Sequence, residues 1–194
     1  MELSLSINSM MTELSLNVLD IANNSIRAGA SLIEIDVNIS TLQDNLTLRV
    51  SDNGCGMTRE QLAKVEDPFF TTRTTRGIGL GIPFLKQAAV GTGGSFHIES
   101  VPGTGTTVTA TFGLSHIDRM PLGDINSTIY TLVIANTQID FMYTYDFNGK
   151  SFMLDTRAIR EILGDVPFTV PEVSIYIKEY LNENKQEVDG GHHV

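Results

Sequence analysis

One cysteine, no long apolar run and a shortage of basic side chains set the first limits on this chain. The lone thiol, Cys55, rules out an internal disulfide framework and suits a reducing cytoplasm. No apolar stretch approaches the length of a membrane span. The amino terminus alternates (Leu3, Leu5, Ile7) where a secretory leader would carry a basic segment and then an apolar run. Lysine and arginine number 13 against 23 acidic residues, and the resulting net charge of −10 argues against a nucleic-acid surface, which needs a concentrated positive patch. There are no internal repeats. The hydrophobic share, 41% of 194 residues, is still enough for a core in one domain, or one domain with a small extension. These features read as a soluble, cytoplasmic protein.

Periodicity divides the chain. Leu3 to Ile7 alternates as a short strand, and from about Thr12 to Ala28 the pattern is helical, with Gly29 where a C-cap glycine belongs. Two β-branched, alternating strands follow, Leu32 to Ile39 and Leu46 to Val50, joined at Gln43-Asp44-Asn45. Thr58 and Gln61 form a capping-box pattern that predicts a helix over 59–65. Residues 66–81 lack clean periodicity, and a loop of that length in a compact domain reads as a functional lid. A helix is expected from Ile82 to about Ala89, with Pro83 tolerated in its first turn, then strands over 95–101 and 106–112. Residues 1–113 therefore read as an α+β, two-layer sandwich with helices on one face of a mixed, mainly antiparallel sheet.

After His116 the character changes. Asp124 caps a helix to about Ala135, and strands Asp140–Tyr145 and Ser151–Leu154 join around Asn148-Gly149, a strong hairpin signal. Helices Arg157–Leu163 and Pro171–Asn184 follow. Residues 114–186 form a small α/β appendix expected to lean on the main domain, and 187–194 a flexible tail.

Four motifs can each touch part of a nucleotide. On the first long helix Asn17, Asp20, Asn24 and Arg27 are three, four and three residues apart and share a stripe, while Val18, Ile21, Ala22 and Ser25 face the sheet. The Asn24 carboxamide can complete the oxygen shell of a Mg²⁺ held mainly by phosphates and water. Arg27 can present its fork of donors to a phosphate, and Asp20 can orient or deprotonate an attacking water or hydroxyl. The same spacing also describes an ordinary solvated helix face. Asp52-Asn53-Gly54-Cys55-Gly56-Met57 directly follows a strand, where a carboxylate can accept from the exocyclic amine of adenine and glycines let the backbone approach the ring. A plain Asp-Asn-Gly turn is equally open. Cys55, with no histidine nearby in sequence, reads as a space-filler.

Gly77-Ile78-Gly79-Leu80-Gly81 precedes a helix, where backbone N–H groups can face phosphates. It lacks the Lys-Ser/Thr of a P-loop and the preceding strand of a Rossmann unit. Arg73 and Arg76 flank it, as phosphate clamps or as solvated lid charge. Gly103-Thr104-Gly105-Thr106 is a hairpin turn that can bring the Thr106 hydroxyl near the Asp52 carboxylate.

Taken in order, the set resembles the nucleotide-binding domain shared by DNA gyrase, the large heat-shock chaperones, histidine kinases and mismatch-repair ATPases, the GHKL superfamily with its Bergerat fold. Asn24 matches the Mg²⁺-binding Asn of the N-box, and Asp52 to Gly56 resembles the G1 box. Asp67-Pro68-Phe69-Phe70-Thr71-Thr72-Arg73 resembles the histidine-kinase F-box, Gly77 to Gly81 the G2 box and Gly103 to Thr106 the G3 element. The resemblance covers about residues 10–113 and points to the histidine-kinase and anti-sigma-kinase side of the superfamily. It implies ATP and Mg²⁺ as ligands, bound by Asn24, Arg27, Asp52, Gly54, Gly56, Met57, Thr72, Arg73, Gly77, Gly79, Leu80, Gly81 and Thr106, with Asn24 on the metal.

Asp20 stands where ATP-hydrolysing members carry Glu, one methylene longer; it is the candidate catalytic base. Only about ten residues precede the N-box helix, so the hairpin bearing the phospho-accepting His of sensor kinases is not expected at its usual place. Ser115-His116-Ile117-Asp118-Arg119-Met120-Pro121-Leu122 resembles that phosphoacceptor box, although Gly123-Asp124 interrupts the helix the box requires. His116 is thus either a phosphoacceptor or part of a linker. Three functions follow from the resemblance: an ATP-driven regulatory switch with slow hydrolysis, a stand-alone kinase phosphorylating a partner protein in trans, or a binding-only module. A regulatory protein partner is expected, without nucleic acid or membrane; the oligomeric state is left open.

Overall fold

Alternation of β-branched and polar residues builds the sheet. The structure, a computed structural model, describes residues 13–65 and 81–192. In chain order it contains α1 (Leu14–Arg27), β1 (Leu32–Ser40), β2 (Asn45–Asp52), α2 (Arg59–Val65), α3 (Gly81–Gly91), β3 (Ser95–Val101) and β4 (Gly105–Gly113). Then come α4 (Ile125–Ala135), β5 (Asp140–Phe147), β6 (Lys150–Asp155), α5 (Thr156–Leu163) and α6 (Pro171–Asp189). The expected strand at Leu3–Ile7 and the lid over 66–80, with Thr72, Arg73, Gly77, Gly79 and Leu80, lie outside the described residues.

The local signals act where they were expected. The Thr58 N–H donates to Gln61 Oε1 (2.8 Å) and the Gln61 N–H to Thr58 Oγ1 (3.3 Å), a reciprocal capping box at the head of α2. Asp124 caps α4 by accepting from the Ser127 N–H at 2.9 Å. Asn148 (φ 54°) and Gly149 (φ 83°) make the two left-handed positions of a two-residue hairpin between β5 and β6.

Among the described residues six strands form one sheet in the order β3-β4-β2-β1-β5-β6. Every pairing is antiparallel except β1 with β5, whose register runs from Leu32 opposite Asp140 to Ile39 opposite Phe147. The strands after residue 113 therefore extend the same sheet across the β1 edge. One face is apolar: Ile33, Ile35, Val37 and Ile39 of β1 align with Phe141, Tyr143, Tyr145 and Phe147 of β5 and with Val50, Leu48 and Leu46 of β2. Helices cover it in strand order, α3 over β3 and β4, α1 over β1 and β2, and α4 and α6 over β5 and β6. The opposite face carries Glu34, Asp36, Arg49, Thr107, Thr109 and Glu99, with Arg49 bonded to Asp36 at 2.7 Å. This is the expected α+β two-layer sandwich with a small C-terminal α/β extension.

α6 runs further than its sequence pattern, through the polar stretch that read as a frayed tail, to Asp189 and a left-handed cap at Gly190. The reason lies in the core. Asp189 is 2% exposed and accepts from Tyr145 Oη (2.9 Å), Lys185 Nζ (2.6 Å) and the Gly191 N–H (2.8 Å). Burial alone would raise its carboxyl pKa, but the donors, led by Lys185 and the Gly191 N–H, outweigh it and hold it below the ordinary 3.8. A depressed folded value means stability present above 3.8 and lost as pH falls through the folded value. Asp189→Asn is expected to cost about 3 kcal/mol at neutral pH. Urea midpoints of the two proteins should then converge on acidification below 3.8; a gap independent of pH contradicts this.

Candidate functional site

The site lies where β2 leaves the sheet. Asp52 is the last residue of β2 and stands opposite Thr106 of β4, which in turn stands opposite Ser100 of β3, so the three side chains share the helix-covered face. Both Asp52 oxygens are held: Oδ1 accepts from the Gly54 N–H at 2.8 Å and Oδ2 from Ser25 Oγ at 2.6 Å. Asn53 pins the turn to β1, its Oδ1 accepting from the N–H groups of Ser31 (2.9 Å) and Leu32 (3.0 Å). The Cys55 N–H donates to Ala28 O (2.9 Å), the Gly103 N–H to Cys55 O (2.8 Å) and the Met57 N–H to Ser100 Oγ (2.8 Å). Ser100 Oγ also meets Thr106 Oγ1 at 2.8 Å. The two glycines of the turn are required by close approach: a Cβ at Gly54 would sit 2.9 Å from Ala28 Cβ, and one at Gly56 2.0 Å from Val101 O.

Helix α1 brings the second group. Asn24 is half-buried and Arg27 exposed, with Arg27 Nη1 donating to Asn24 Oδ1 at 3.4 Å. Asn17, at the other end of the same stripe, is fully buried; its Nδ2 donates to Glu13 O at 3.3 Å. The stripe thus runs from core to solvent, and its outer part, Asp20, Asn24 and Arg27, is the part a ligand can meet. Burial pushes the Asp20 carboxyl up, with the Arg27 charge pulling it partly back. Its Oδ2 is buried and has no hydrogen-bond partner among the described residues. That oxygen abuts the head of α3, where a Cβ on Gly81 would lie 2.0 Å from it. Among the described residues no group of three His, Cys, Asp or Glu gathers as a metal cage. A cation at Asn24 would depend on ligand oxygens, as Mg²⁺ in nucleotide sites commonly does.

His116 is exposed and lies in a turn, its Nδ1 accepting from the Asp118 N–H at 3.1 Å. Arg119 bridges that segment by donating to Leu114 O (2.8 Å) and Met120 O (2.9 Å). β4 runs from Thr106, beside Asp52, to Gly113, beside Asn45, so roughly 23 Å of strand separates this turn from Asp52. Two contributors escaped the sequence reading. Ser25 had been set on the packing face of α1, and Ser100 carried no motif; a lone hydroxyl on an otherwise apolar face was the available signal for the first.

Comparisons with known proteins identify the family and the fold. The profile of the histidine kinase-, DNA gyrase B-, and HSP90-like ATPases matches residues 4–116, more than half of the chain, and the chain belongs to that family. It is 40% identical over 108 residues to the sensor protein kinase FleS of Pseudomonas aeruginosa, covering 56% of this chain and 26% of that one. It is 33% identical over 98 residues to sporulation kinase D of Bacillus subtilis (50% and 19%), and 32% identical over 111 residues to the non-motile and phage-resistance protein of Caulobacter vibrioides (53% and 13%). The chain therefore spans about a quarter or less of the length of these relatives. Among solved structures, the N-terminal domain of a DNA repair protein shares the fold, with a TM-score of 0.53 at 17% identity over 76% of this chain and 54% of that one. That coverage reaches past residue 116, so the shared fold includes part of the extension. Among the described residues, no helix is long and apolar enough to cross a membrane.

Proposed function

We propose that the chain is a Mg-ATP-binding module of the histidine-kinase type that acts in the cytoplasm as a nucleotide-dependent switch, with slow hydrolysis, read by a protein partner. The observation that carries this reading is the meeting of Asp52, Thr106 and the Asn24-bearing helix α1 at one end of the sheet, held together by the Ser25–Asp52 bond. The residues fit the ligand. Each Asp52 oxygen keeps a lone pair after its one internal donor, enough to accept from the amine of adenine. Asn24 offers a hard carboxamide oxygen, with Arg27 one turn on for phosphate charge. Bound Mg-ATP would supply the phosphoryl group, and the segment at 66–81, which carries Arg73 and Arg76, is the element expected to close over it. Asn24→Ala is expected to cut Mg²⁺-dependent ATP affinity about tenfold while leaving Mg²⁺-free binding nearly unchanged. Calorimetric titration with and without EDTA checks this, and equal losses in both contradict it.

The extension gives the switch a route. The first free N–H groups of α1, on Leu14 and Ser15, donate to Pro121 O and Leu122 O, both at 2.9 Å. α4, which follows that segment, packs on α1. A displacement of the nucleotide-facing helix is thus felt directly by the extension. Gly123 (φ +75°) lies against Glu13, where a Cβ would come within 2.0 Å of Oε2 and 2.7 Å of Cβ. Gly123→Ala is expected to destabilise by about 2 kcal/mol and to shift ATP affinity several-fold, although the residue is remote from Asp52. Unchanged melting and unchanged affinity count against the coupling.

The kinase names of the relatives favour a second reading, phosphoryl transfer in trans to a protein. A pull-down with and without a non-hydrolysable ATP analogue, followed by phosphate mapping after γ-labelled ATP, separates the two. Nucleotide-dependent retention without transfer supports the switch. Label on the partner, or on His116 and lost in His116→Ala, supports the kinase.

A further inference from the structure

We infer that Ser25 is a positioning residue that sets purine selectivity, by fixing Asp52 as a rigid acceptor for an exocyclic amine; the inference rests on the nucleotide reading above. Ser25 sits on the inner face of α1, 3% exposed, among Val18, Ile21 and Ala22, where a hydroxyl contributes nothing to apolar packing. Its single proton has two acceptors within reach, Asp52 Oδ2 at 2.6 Å and Ile21 O at 3.3 Å. The shorter, charge-assisted contact takes it. The other oxygen of the same carboxylate is fixed by the Gly54 N–H at 2.8 Å. With one donor on each oxygen the carboxylate cannot rotate without breaking a bond, and its remaining lone pairs have fixed directions. Neither neighbouring hydroxyl competes for it, because Thr106 Oγ1 is engaged with Ser100 Oγ and Ser100 Oγ with Gly105 O at 3.0 Å.

Such a carboxylate discriminates between purines. A 6-amino group donates to it, whereas a 6-oxo group sets acceptor against acceptor, and a site built around a fixed polar group rejects the mismatched ligand more strongly than a mobile one. Without the Ser25 hydroxyl, Oδ2 loses its anchor and the carboxylate regains rotation about its Gly54 bond. The amine then gains less, while a 6-oxo purine, which never used the acceptor, loses nothing. Ser25 thereby also joins the two ends of the site, since Asn24 is its neighbour on the same helix.

The test is direct titration of the full chain with ATP and with ITP, the 6-oxo analogue, in Mg²⁺. Wild type is expected to prefer ATP, and Ser25→Ala to bind ATP about tenfold more weakly with ITP affinity unchanged, so the ratio falls about tenfold. Ser25→Cys, nearly isosteric but a weak donor, is expected to fall between the two and serves in place of Ser25→Ala should that variant fold poorly. A ratio preserved in the variants, or ATP and ITP affinities falling in parallel, overturns the role and leaves the nucleotide reading standing. Wild type binding neither nucleotide overturns the nucleotide reading itself.

Discussion

Asp52→Asn is expected to weaken ATP binding by roughly 30- to 150-fold, corresponding to about 2–3 kcal/mol for a hydrogen bond to a charged acceptor, while the fold survives. The Gly54 N–H cannot reverse, so the carboxamide oxygen must stay on Oδ1's side. The new NH₂ then takes the place of Oδ2, where the Ser25 hydroxyl can turn and accept from it. The internal bonds are thus kept, but the outward lone pair of Oδ2 is replaced by an N–H, and a purine amine meets a donor. Melting should change little. Calorimetry or a fluorescent ATP analogue reads the loss, and unchanged affinity in a folded variant removes Asp52 from the site.

Gly105→Ala is expected to be strongly destabilising. At φ +135° Gly105 occupies backbone space that L side chains rarely adopt, and a Cβ there would lie 1.9 Å from Asp52 O and 2.8 Å from its carbonyl carbon. Both atoms are backbone, so no rotamer change relieves the overlap. The first residues of β4 must part from the end of β2, breaking the Asp52–Thr106 register and the Ser100–Gly105 bond. Strain and overpacking together are worth about 3–5 kcal/mol, a fall in melting temperature of roughly 6–20 °C for a chain of this size. A thermal melt followed by circular dichroism checks it, with Gly103→Ala, where a Cβ meets nothing within 4 Å, as the control at a neighbouring glycine. Equal melting of the two variants contradicts the close approach.

These two residues also show what the sequence could and could not disclose. Asp52 was legible because it follows an alternating strand and opens an Asp-Asn-Gly turn, a local pattern. The capping box at Thr58 and Gln61, the Asp124 cap and the Asn148-Gly149 turn were legible for the same reason: each is chemistry between residues a few positions apart. The parallel pairing of β1 with β5 was not, since it joins residues more than a hundred positions apart and leaves no local mark. Asp189 failed in the opposite sense. In a polar run it read as tail, yet Tyr145, on a distant strand, gives it a buried partner and carries α6 one turn further. Ser25 shows the same limit, because only the turn after β2 makes its hydroxyl a partner of Asp52. Asn17 shared the spacing of Asp20, Asn24 and Arg27 but lies in the core, since helical periodicity fixes a stripe and not how much of it neighbouring helices cover.

A crystal structure of the chain with Mg²⁺ and a non-hydrolysable ATP analogue tests the central claim most directly. It should place the purine amine within hydrogen-bonding distance of the Asp52 carboxylate and the metal on the Asn24 carboxamide oxygen. A nucleotide bound elsewhere, or one whose base ignores Asp52 while its metal lies away from α1, contradicts the account.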